Sequence, residues 1–354
     1  MSKVFAWRKV FVRPEIFVYL AFVVFTAVFI VLNSLVGNSN QGIIEHYINL
    51  NSPKLAWTLM LLFTALLVHG ISLWVKAIVK QLDPALVFSL QNLKRQAGKI
   101  PGALKNFVVI GIPFFLAFSA MSFALGPLNV FNSTRLRDEL LFRWDVFLTG
   151  TFPPLSLASI QYPWWFMAAI EFSFFYIVSI MTVFGAYLFL AHNKLFREAA
   201  GAFFLSLMIM LAGWVVFPVL SPYDRFVGNA YSLAVPAEVR LYVNQYQPQE
   251  EIARFWEKIN QSREGLTILP TTALPSAHVV WAVLLVYYSW RVWKWLLLAS
   301  IPLAFLSTLG TNLFAAHYFV DIPTGIITGL VAIVVVSWLR ENQLAYERES
   351  IIIR

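Results

Sequence analysis

Long apolar runs, each close to the length of a bilayer crossing, alternate along this chain with short polar connections. Eight of them reach or approach spanning length: residues 16–36, 55–75, 106–126, 164–191, 200–220, 276–290, 294–312 and 318–339. Segments that cross lipid fold as helices, because each backbone donor and acceptor must find its partner within its own segment once water is excluded. The pattern therefore predicts an all-α integral membrane protein, a polytopic bundle of about eight transmembrane helices. The first run, from Glu15 to Val36, follows a basic N-terminus and carries no small-residue cleavage site, so it reads as a retained span rather than a removed signal peptide.

The polar connections orient the bundle. With the N-terminus cytoplasmic, the inner connections hold 17 of the 26 Lys and Arg residues, while the outer ones hold nine basic residues against 11 acidic ones. An excess of Lys and Arg on the cytoplasmic side is the topogenic signal of multi-pass proteins, so both termini are expected inside. The heads of the sixth and eighth spans then face the opposite side, periplasmic, extracellular or lumenal. A bacterial inner membrane is favoured by the absence of cysteine and by the short tail.

Composition agrees with this picture. The chain has 354 residues, 59% hydrophobic and 12% charged, where soluble domains sit near roughly 45–50% and about 25%. Its net charge of +8 lies in short connections, where it sets topology and meets anionic headgroups rather than nucleic acid. With no cysteine, disulfides and thiolate metal sites are excluded. Three parts are expected: an N-terminal membrane segment (1–130) of three spans and a basic inner connection, a transmembrane core (131–340) with a long outer loop (221–273), and a short tail (341–354). The sequence does not state the oligomeric state.

Several connections carry features of their own. The inner stretch from Lys76 to Lys105 reads equally as an interfacial helix or a solvated linker. His46, in an Asn-rich outer loop, has no patterned neighbours, and His69, inside the second span, reads as a hydrogen-bonded side chain facing the bundle. Arg135, Arg137, Asp138, Glu139, Arg143 and Asp145 in the second outer loop read either as structural salt bridges or as a wall that binds a headgroup. The Pro-rich Thr151–Pro163 that follows cannot be a regular span, so it dips into the interface or packs on the bundle. Glu171 stands as the one carboxylate inside a span apart from the motif below, a costly placement that suggests a wet cavity. Tyr223, Asp224 and Arg225 open the long loop. Within it Glu250–Gln261 forms an amphipathic pattern, with Ile252, Phe255, Trp256 and Ile259 on one face, suited to a lid or a cover.

The chemistry concentrates between Thr271 and Thr324. Leu274-Pro275-Ser276-Ala277-His278 heads one apolar run and Ala316-His317-Tyr318-Phe319-Val320-Asp321 heads another, the histidines being 39 positions apart. At about 1.5 Å per residue that is one span inward, a turn and one span back, which returns both imidazoles to one membrane face. His317 and Asp321 at i and i+4 share a helix face, so the carboxylate can hold Nδ1–H and leave Nε2 free as a nucleophile. His278 opposite can protonate a departing oxygen. Pro275 suits a first helical turn, leaving the N–H groups of Ser276, Ala277 and His278 and the Ser276 hydroxyl to cradle an anion. Two histidines and an aspartate can also form a facial metal site, the competing use of the same residues.

These two segments resemble the second and third signatures of the type 2 phosphatidic acid phosphatase superfamily, written PSGH and SR-x5-H-x3-D. Within it the chain is most similar to the inositol phosphorylceramide synthase branch, whose signatures run FPSxH and HHYFVD. Phe217-Pro218-Val219-Leu220-Ser221-Pro222-Tyr223 resembles the FP-x-x-PP-W/Y segment of that branch, and Arg143-Trp144-Asp145-Val146-Phe147 faintly resembles its Asp-Val-Phe stretch. Together the likeness covers about residues 140–335 and implies a six-helix phosphatase-like catalytic core. It also implies phosphoryl transfer without cofactor or metal: His317 attacks phosphorus to give a phosphohistidine, Asp321 orients it, and His278 protonates the leaving group.

The departures from the pattern matter. The superfamily's first motif, K-x6-RP, is not recognisable, and Thr311 stands where most of its phosphatases carry Arg, leaving Arg225 and Arg143 as the nearby cations of the outer face. A site with few guanidinium groups suits a singly charged phosphodiester better than a doubly charged monoester. The expected activity is therefore transfer of a phosphoinositol-like headgroup from a phospholipid donor to a lipid or sugar alcohol. The alternative is hydrolysis of a lipid or polyprenyl phosphate or pyrophosphate. Tyr223, Asp224, Arg225, Arg143, Asp145 and Glu171 are the candidate headgroup contacts, beside Ser276 and Ala277.

Overall fold

The computed structural model describes Val24 and residues 136–228, 233–263 and 273–352. The three expected spans before residue 130, the basic connection 76–105, His46 and His69 lie outside the described residues. Those described are helical, with no strand among them. Five helices form the bundle: α3 (Trp164–Ala191), α4 (Asn193–Val216), α7 (Ala277–Val292), α8 (Leu297–Leu313) and α9 (Asp321–Ile352). Four segments, Trp164–Phe189, Asn193–Trp214, Lys294–Leu313 and Asp321–Asn342, are long and apolar enough to cross a membrane, and α7 is a shorter apolar helix.

Two boundaries differ from the sequence pattern. Helix α4, the second of the bundle, starts at Asn193 rather than near 200 and stops at Val216, two residues before Pro218, which cannot donate to a continuing helix. This earlier start places Glu198 within the helix, with its side chain 1% exposed, whereas Glu171 on α3 is only half-buried. Glu171 is therefore not the one carboxylate buried in a span apart from the motif. The last helix also runs through the expected tail to Ile352.

Helix α7 is the hub, packed against α3, α4, α8 and α9, with α8 and α9 on separate flanks. Small residues make this possible. A Cβ on Gly325 would lie 2.8 Å from Cβ of Val279 and 3.0 Å from the Ser276 carbonyl, and one on Gly329 would lie 2.9 Å from Cγ1 of Val283. This small-x-x-x-small face lets α9 lie against α7 at backbone contact, the device that packs helices where lipid supplies no hydrophobic drive.

The remaining elements form a cap over one end of the bundle: α1 (Asp138–Thr149), α2 (Pro153–Ala158), a π-turn (Tyr223–Val227), α5 (Ala237–Gln245) and α6 (Glu250–Arg263). Helix α1 ends at Gly150, whose φ of 74° and N–H bond to the Val146 carbonyl close its last turn. Of the two expectations for Thr151–Pro163, packing on the bundle is realised: α2 is largely buried and lies on α8. Helix α6 buries Ile252 and Trp256, as its amphipathic pattern predicts.

The cap and the bundle have separate cores. Phe142, Phe152, Tyr223, Phe226, Trp256, Phe314 and Tyr318 centre the first, and Leu207, Met210, Trp214, Leu284, Tyr288 and Ile333 the second. The sequence motifs lie where the two meet.

Candidate active site

The turn between α8 and α9 carries His317, and its backbone is pinned at every step. Ala315 has a left-handed φ of 52°, an uncommon conformation for a non-glycine residue that the surrounding bonds must hold in place. Its N–H reaches the Asn312 carbonyl at 2.9 Å, and its own carbonyl accepts the Tyr223 N–H at 2.9 Å. The N–H groups of Ala316 and His317 both donate to the Thr311 carbonyl, at 3.0 and 2.9 Å. Tyr318 N–H donates to Asp321 Oδ2 at 2.9 Å, Phe319 N–H to Asp145 Oδ2 at 2.9 Å and Val320 N–H to Asp145 Oδ1 at 3.0 Å. No backbone donor from Ala315 to Val320 is left over, and a buried turn that is fully paired has little freedom to re-aim its side chains.

His317 therefore lies in this turn and not on a helix face shared with Asp321, because α9 begins only at Asp321. The imidazole and the carboxylate still meet, with Nδ1 3.3 Å from Asp321 Oδ2. A nearer acceptor is present too: the Ala273 carbonyl lies 2.8 Å from the same nitrogen. Facing two oxygens that cannot donate, Nδ1 carries the proton, and in the neutral ring Nε2 keeps its lone pair. The strand of chain that presents Ala273 is fixed by its own N–H, which donates to the Val219 carbonyl at 3.2 Å.

His278 enters from the first turn of α7. Its ring centroid is 5.8 Å from that of His317, so the two imidazoles share one pocket. It stacks on Phe174 of α3 at 4.2 Å and nearly parallel. Phe174, Phe175, Phe255 and Phe314 continue from that stack as a connected ring wall up to α6, with Phe255 and Phe314 4.7 Å apart. Ser276 is the N-cap of α7, with Pro275 just before it rather than in the first turn as its sequence position suggests. The Ser276 hydroxyl is fully buried and makes no cap bond, and neither it nor Nδ1 of His278 has a hydrogen-bond partner among the described residues. Buried hydroxyls and ring nitrogens are nearly always paired, so these two mark a place for a polar ligand or water. Trp214 Nε1 holds the Pro275 carbonyl at 3.2 Å, and a Cβ on Gly213 would lie 2.9 Å from Pro275 Cδ.

The other candidate residues sit elsewhere. Both Asp145 oxygens are taken by the N–H groups that precede α9. Burial pushes its carboxyl up to about 7 against those two bonds. Arg143 is exposed and paired with Glu238 at 3.0 Å. Arg225 is buried, donating to the Ala234 carbonyl at 3.0 Å and to Glu139 at 3.4 Å. The Tyr223 hydroxyl donates to the Trp256 carbonyl at 2.9 Å, and Asp224 accepts from the Ser221 hydroxyl at 2.5 Å. Ala277 opens α7 beside the cradle, and Glu171 lies one turn before Phe174 on α3. Among the described residues, no three His, Asp or Glu side chains are arranged to hold a metal ion.

Sequence reasoning passed over two contributors. The Ala273 carbonyl left no signal, since any residue type offers one. Asp138 was read only as a charge of the outer loop, yet its Oδ1 accepts the Leu220 N–H at 3.0 Å and the Tyr318 hydroxyl at 2.9 Å, tying α1 to the histidine turn. Thr311, in the position that the pattern gives to Arg, is fully buried, and its hydroxyl donates to the Thr308 carbonyl at 2.6 Å.

A model of the PAP2 superfamily matches residues 141–335, from within α1 to within α9. No curated protein and no solved structure matches.

Proposed function

As the chain belongs to the PAP2 superfamily, whose members are typically phosphatases or phosphotransferases acting on lipids, we propose that it is a membrane lipid phosphotransferase of the inositol phosphorylceramide synthase kind. It moves a phosphoinositol-like headgroup from a phospholipid donor to a lipid or sugar alcohol through a phosphohistidine. The observation that carries this reading is the clamp on His317 Nδ1, which lies 2.8 Å from the Ala273 carbonyl and 3.3 Å from the Asp321 carboxylate, beside a second imidazole.

In the first step the Nε2 lone pair of His317 forms a bond to phosphorus while the bond from phosphorus to the glycerol oxygen of the donor breaks. That oxygen takes a proton from His278 and leaves as a diacylglycerol-type alcohol. Asp321 offsets the positive charge that grows on the attacking ring. In the second step the acceptor hydroxyl passes its proton to His278, its oxygen bonds to phosphorus, and the bond to Nε2 breaks. The N-terminus of α7, with Ser276 as cap, supplies unpaired N–H groups to the phosphate oxygens.

Transfer from a diester, rather than hydrolysis of a monoester, is supported by the guanidinium groups. Arg143 and Arg225 are each paired one to one with an acid, Glu238 and Glu139, so neither pair brings net positive charge to balance a second phosphate charge. The test is incubation of the purified protein with headgroup-labelled phosphatidylinositol and ceramide. The expected result is labelled product together with an acid-labile phosphoryl adduct, both absent in His317→Ala. Inorganic phosphate released from phosphatidate without an acceptor, at a rate equal to transfer, would instead establish the hydrolytic alternative.

A further inference from the structure

At the end of the bundle away from the histidines, three helices meet in a charged cluster that the proposed reaction does not use. Glu198 of α4 receives Arg291, at the end of α7, on Oε1 at 2.9 Å and Arg340 of α9 on Oε2. Ser337 adds its hydroxyl at 3.4 Å, and the Tyr287 hydroxyl accepts from Arg291 Nη1 at 2.8 Å. The Glu198 side chain is 1% exposed, but those of Arg291 and Arg340 are 34% and 29% exposed.

Two features point beyond a structural ion pair. One buried carboxylate cancels one of the two positive charges, so the cluster keeps a net charge of +1. In addition, Nε and Nη2 of both arginines have no hydrogen-bond partner among the described residues. Each guanidinium is anchored through a single nitrogen and presents the rest of its fork. Such a fork, already held in place, suits phosphate oxygens two at a time. The surrounding charge leans slightly to the same sign: Lys194, Arg197, Lys294 and Arg348 lie at this end of the helices, against Glu341, Glu347 and Glu349 of α9.

The neighbouring surface decides between phosphate in solution and phosphate on a lipid. Trp290, Trp293, Trp295 and Trp338 are all exposed around the cluster. Exposed indoles at the ends of apolar helices mark the level of lipid headgroups, and basic pockets between spanning helices at that level bind acidic lipids. The geometry points to a binding site for the phosphate of an anionic phospholipid at the Arg291–Arg340 pair, in the leaflet opposite the histidine pocket. Glu198 holds the two guanidiniums in place while cancelling only one of their two charges. The lipid bound here is a resident of the fold and not a substrate.

The site is tested by native mass spectrometry of the purified protein in detergent, titrated with phosphatidylglycerol or with phosphatidylcholine. Wild type is expected to retain phosphatidylglycerol about tenfold more tightly than phosphatidylcholine, the order of one or two basic contacts. The triple variant Glu198→Gln, Arg291→Gln, Arg340→Gln keeps a hydrogen-bonded cluster without charge and is expected to lose the preference while holding phosphatidylcholine as before. If that variant fails to fold, Glu198→Gln alone, which leaves both guanidiniums, is expected to keep or strengthen the preference. Equal retention of both lipids by wild type, or competition by inorganic phosphate at the same concentration as the lipid, overturns the proposal. His317→Ala is expected to keep the preference, whereas its loss there would assign the bound lipid to the histidine pocket. A failed assay for headgroup transfer leaves these outcomes untouched.

Discussion

The carbonyl oxygen of Ala273 lies 2.8 Å from Nδ1 of His317, closer than the Asp321 carboxylate at 3.3 Å. The imidazole is thus held from two sides, by a loop that precedes α7 and by the first residue of α9. In the proposed reaction the two acceptors do different work: the carbonyl fixes where the proton sits, and the carboxylate answers the charge that develops when the ring attacks. Their contributions can be separated.

Asp321→Asn is expected to lower the turnover of headgroup transfer by about 10²- to 10³-fold, the range for losing one group that stabilises developing charge. His317→Ala removes the nucleophile and is expected to leave no transfer. Single-turnover assays on the two variants check the ordering. Equal, complete loss in both would mean that the Ala273 carbonyl does not by itself maintain the tautomer.

Gly325→Ala tests the contact that sets the distance between the motifs. Its Cβ would fall 2.8 Å from Cβ of Val279 and 3.0 Å from the Ser276 carbonyl, with a backbone atom that cannot yield. Overpacking of this kind costs about 1–3 kcal/mol. The expected result is a lower melting temperature in detergent together with lost activity, because the start of α7 carries both Ser276 and His278. Gly150→Ala, with open space around its Cβ but a φ of 74°, is expected to affect stability without affecting turnover.

The carboxyl of Asp138 gives stability a pH dependence of definite sign. Burial pushes it up to about 7 from an ordinary 3.8, against hydrogen bonds from Tyr318 and Leu220 and the charge of Arg225, while Oδ2 has no hydrogen-bond partner among the described residues. The native state therefore keeps a proton that the unfolded chain releases from near pH 4 upward. The stabilisation is full below that pH, falls as pH rises towards about 7, and is lost above it, with a slope of at most about 1.4 kcal/mol per pH unit. Asp138→Asn copies the protonated form. Melting curves between pH 4.5 and 8 are expected to show a shallower dependence in the variant, and an unchanged slope would remove Asp138 as the cause.

Trp256 couples the cap to the histidine turn, donating Nε1–H to the Phe314 carbonyl at 3.1 Å while its own carbonyl accepts the Tyr223 hydroxyl. Trp256→Phe leaves the Phe314 carbonyl without its donor, a loss of about 1–3 kcal/mol. Released from the turn, α6 is expected to open the pocket to water. The measurement is the ratio of inorganic phosphate to transferred headgroup, which rises in the variant.

Much of this architecture was legible in the apolar pattern. Helices α3, α4, α7, α8 and α9 fall on five of the eight expected spans, and PSAH with AHYFVD returns His278 and His317 to one pocket as their spacing requires. What the sequence concealed are bonds that depend on distance in space alone. Asp145 supports Phe319 and Val320 from more than 170 residues away, and nothing local distinguishes it from a solvated acid. Arg291 and Arg340 read as topogenic charges because their common partner, Glu198, lies on a helix whose start the apolar run places too late. His317 and Asp321 meet in a turn, where helical spacing was the wrong reason for the right contact.

The ring wall of Phe174, Phe175, Phe255 and Phe314 bears on the fate of a phosphorylated His317. Phe174 lies ten residues inside α3, which sets the pocket about 15 Å below that helix's outer tip. In the proposed reaction the P–N bond forms inside this aromatic recess, where a hydroxyl carried on a lipid has an apolar surface to follow and water has none. On that reading, the route of entry makes the choice between an ester exchanged and an ester destroyed.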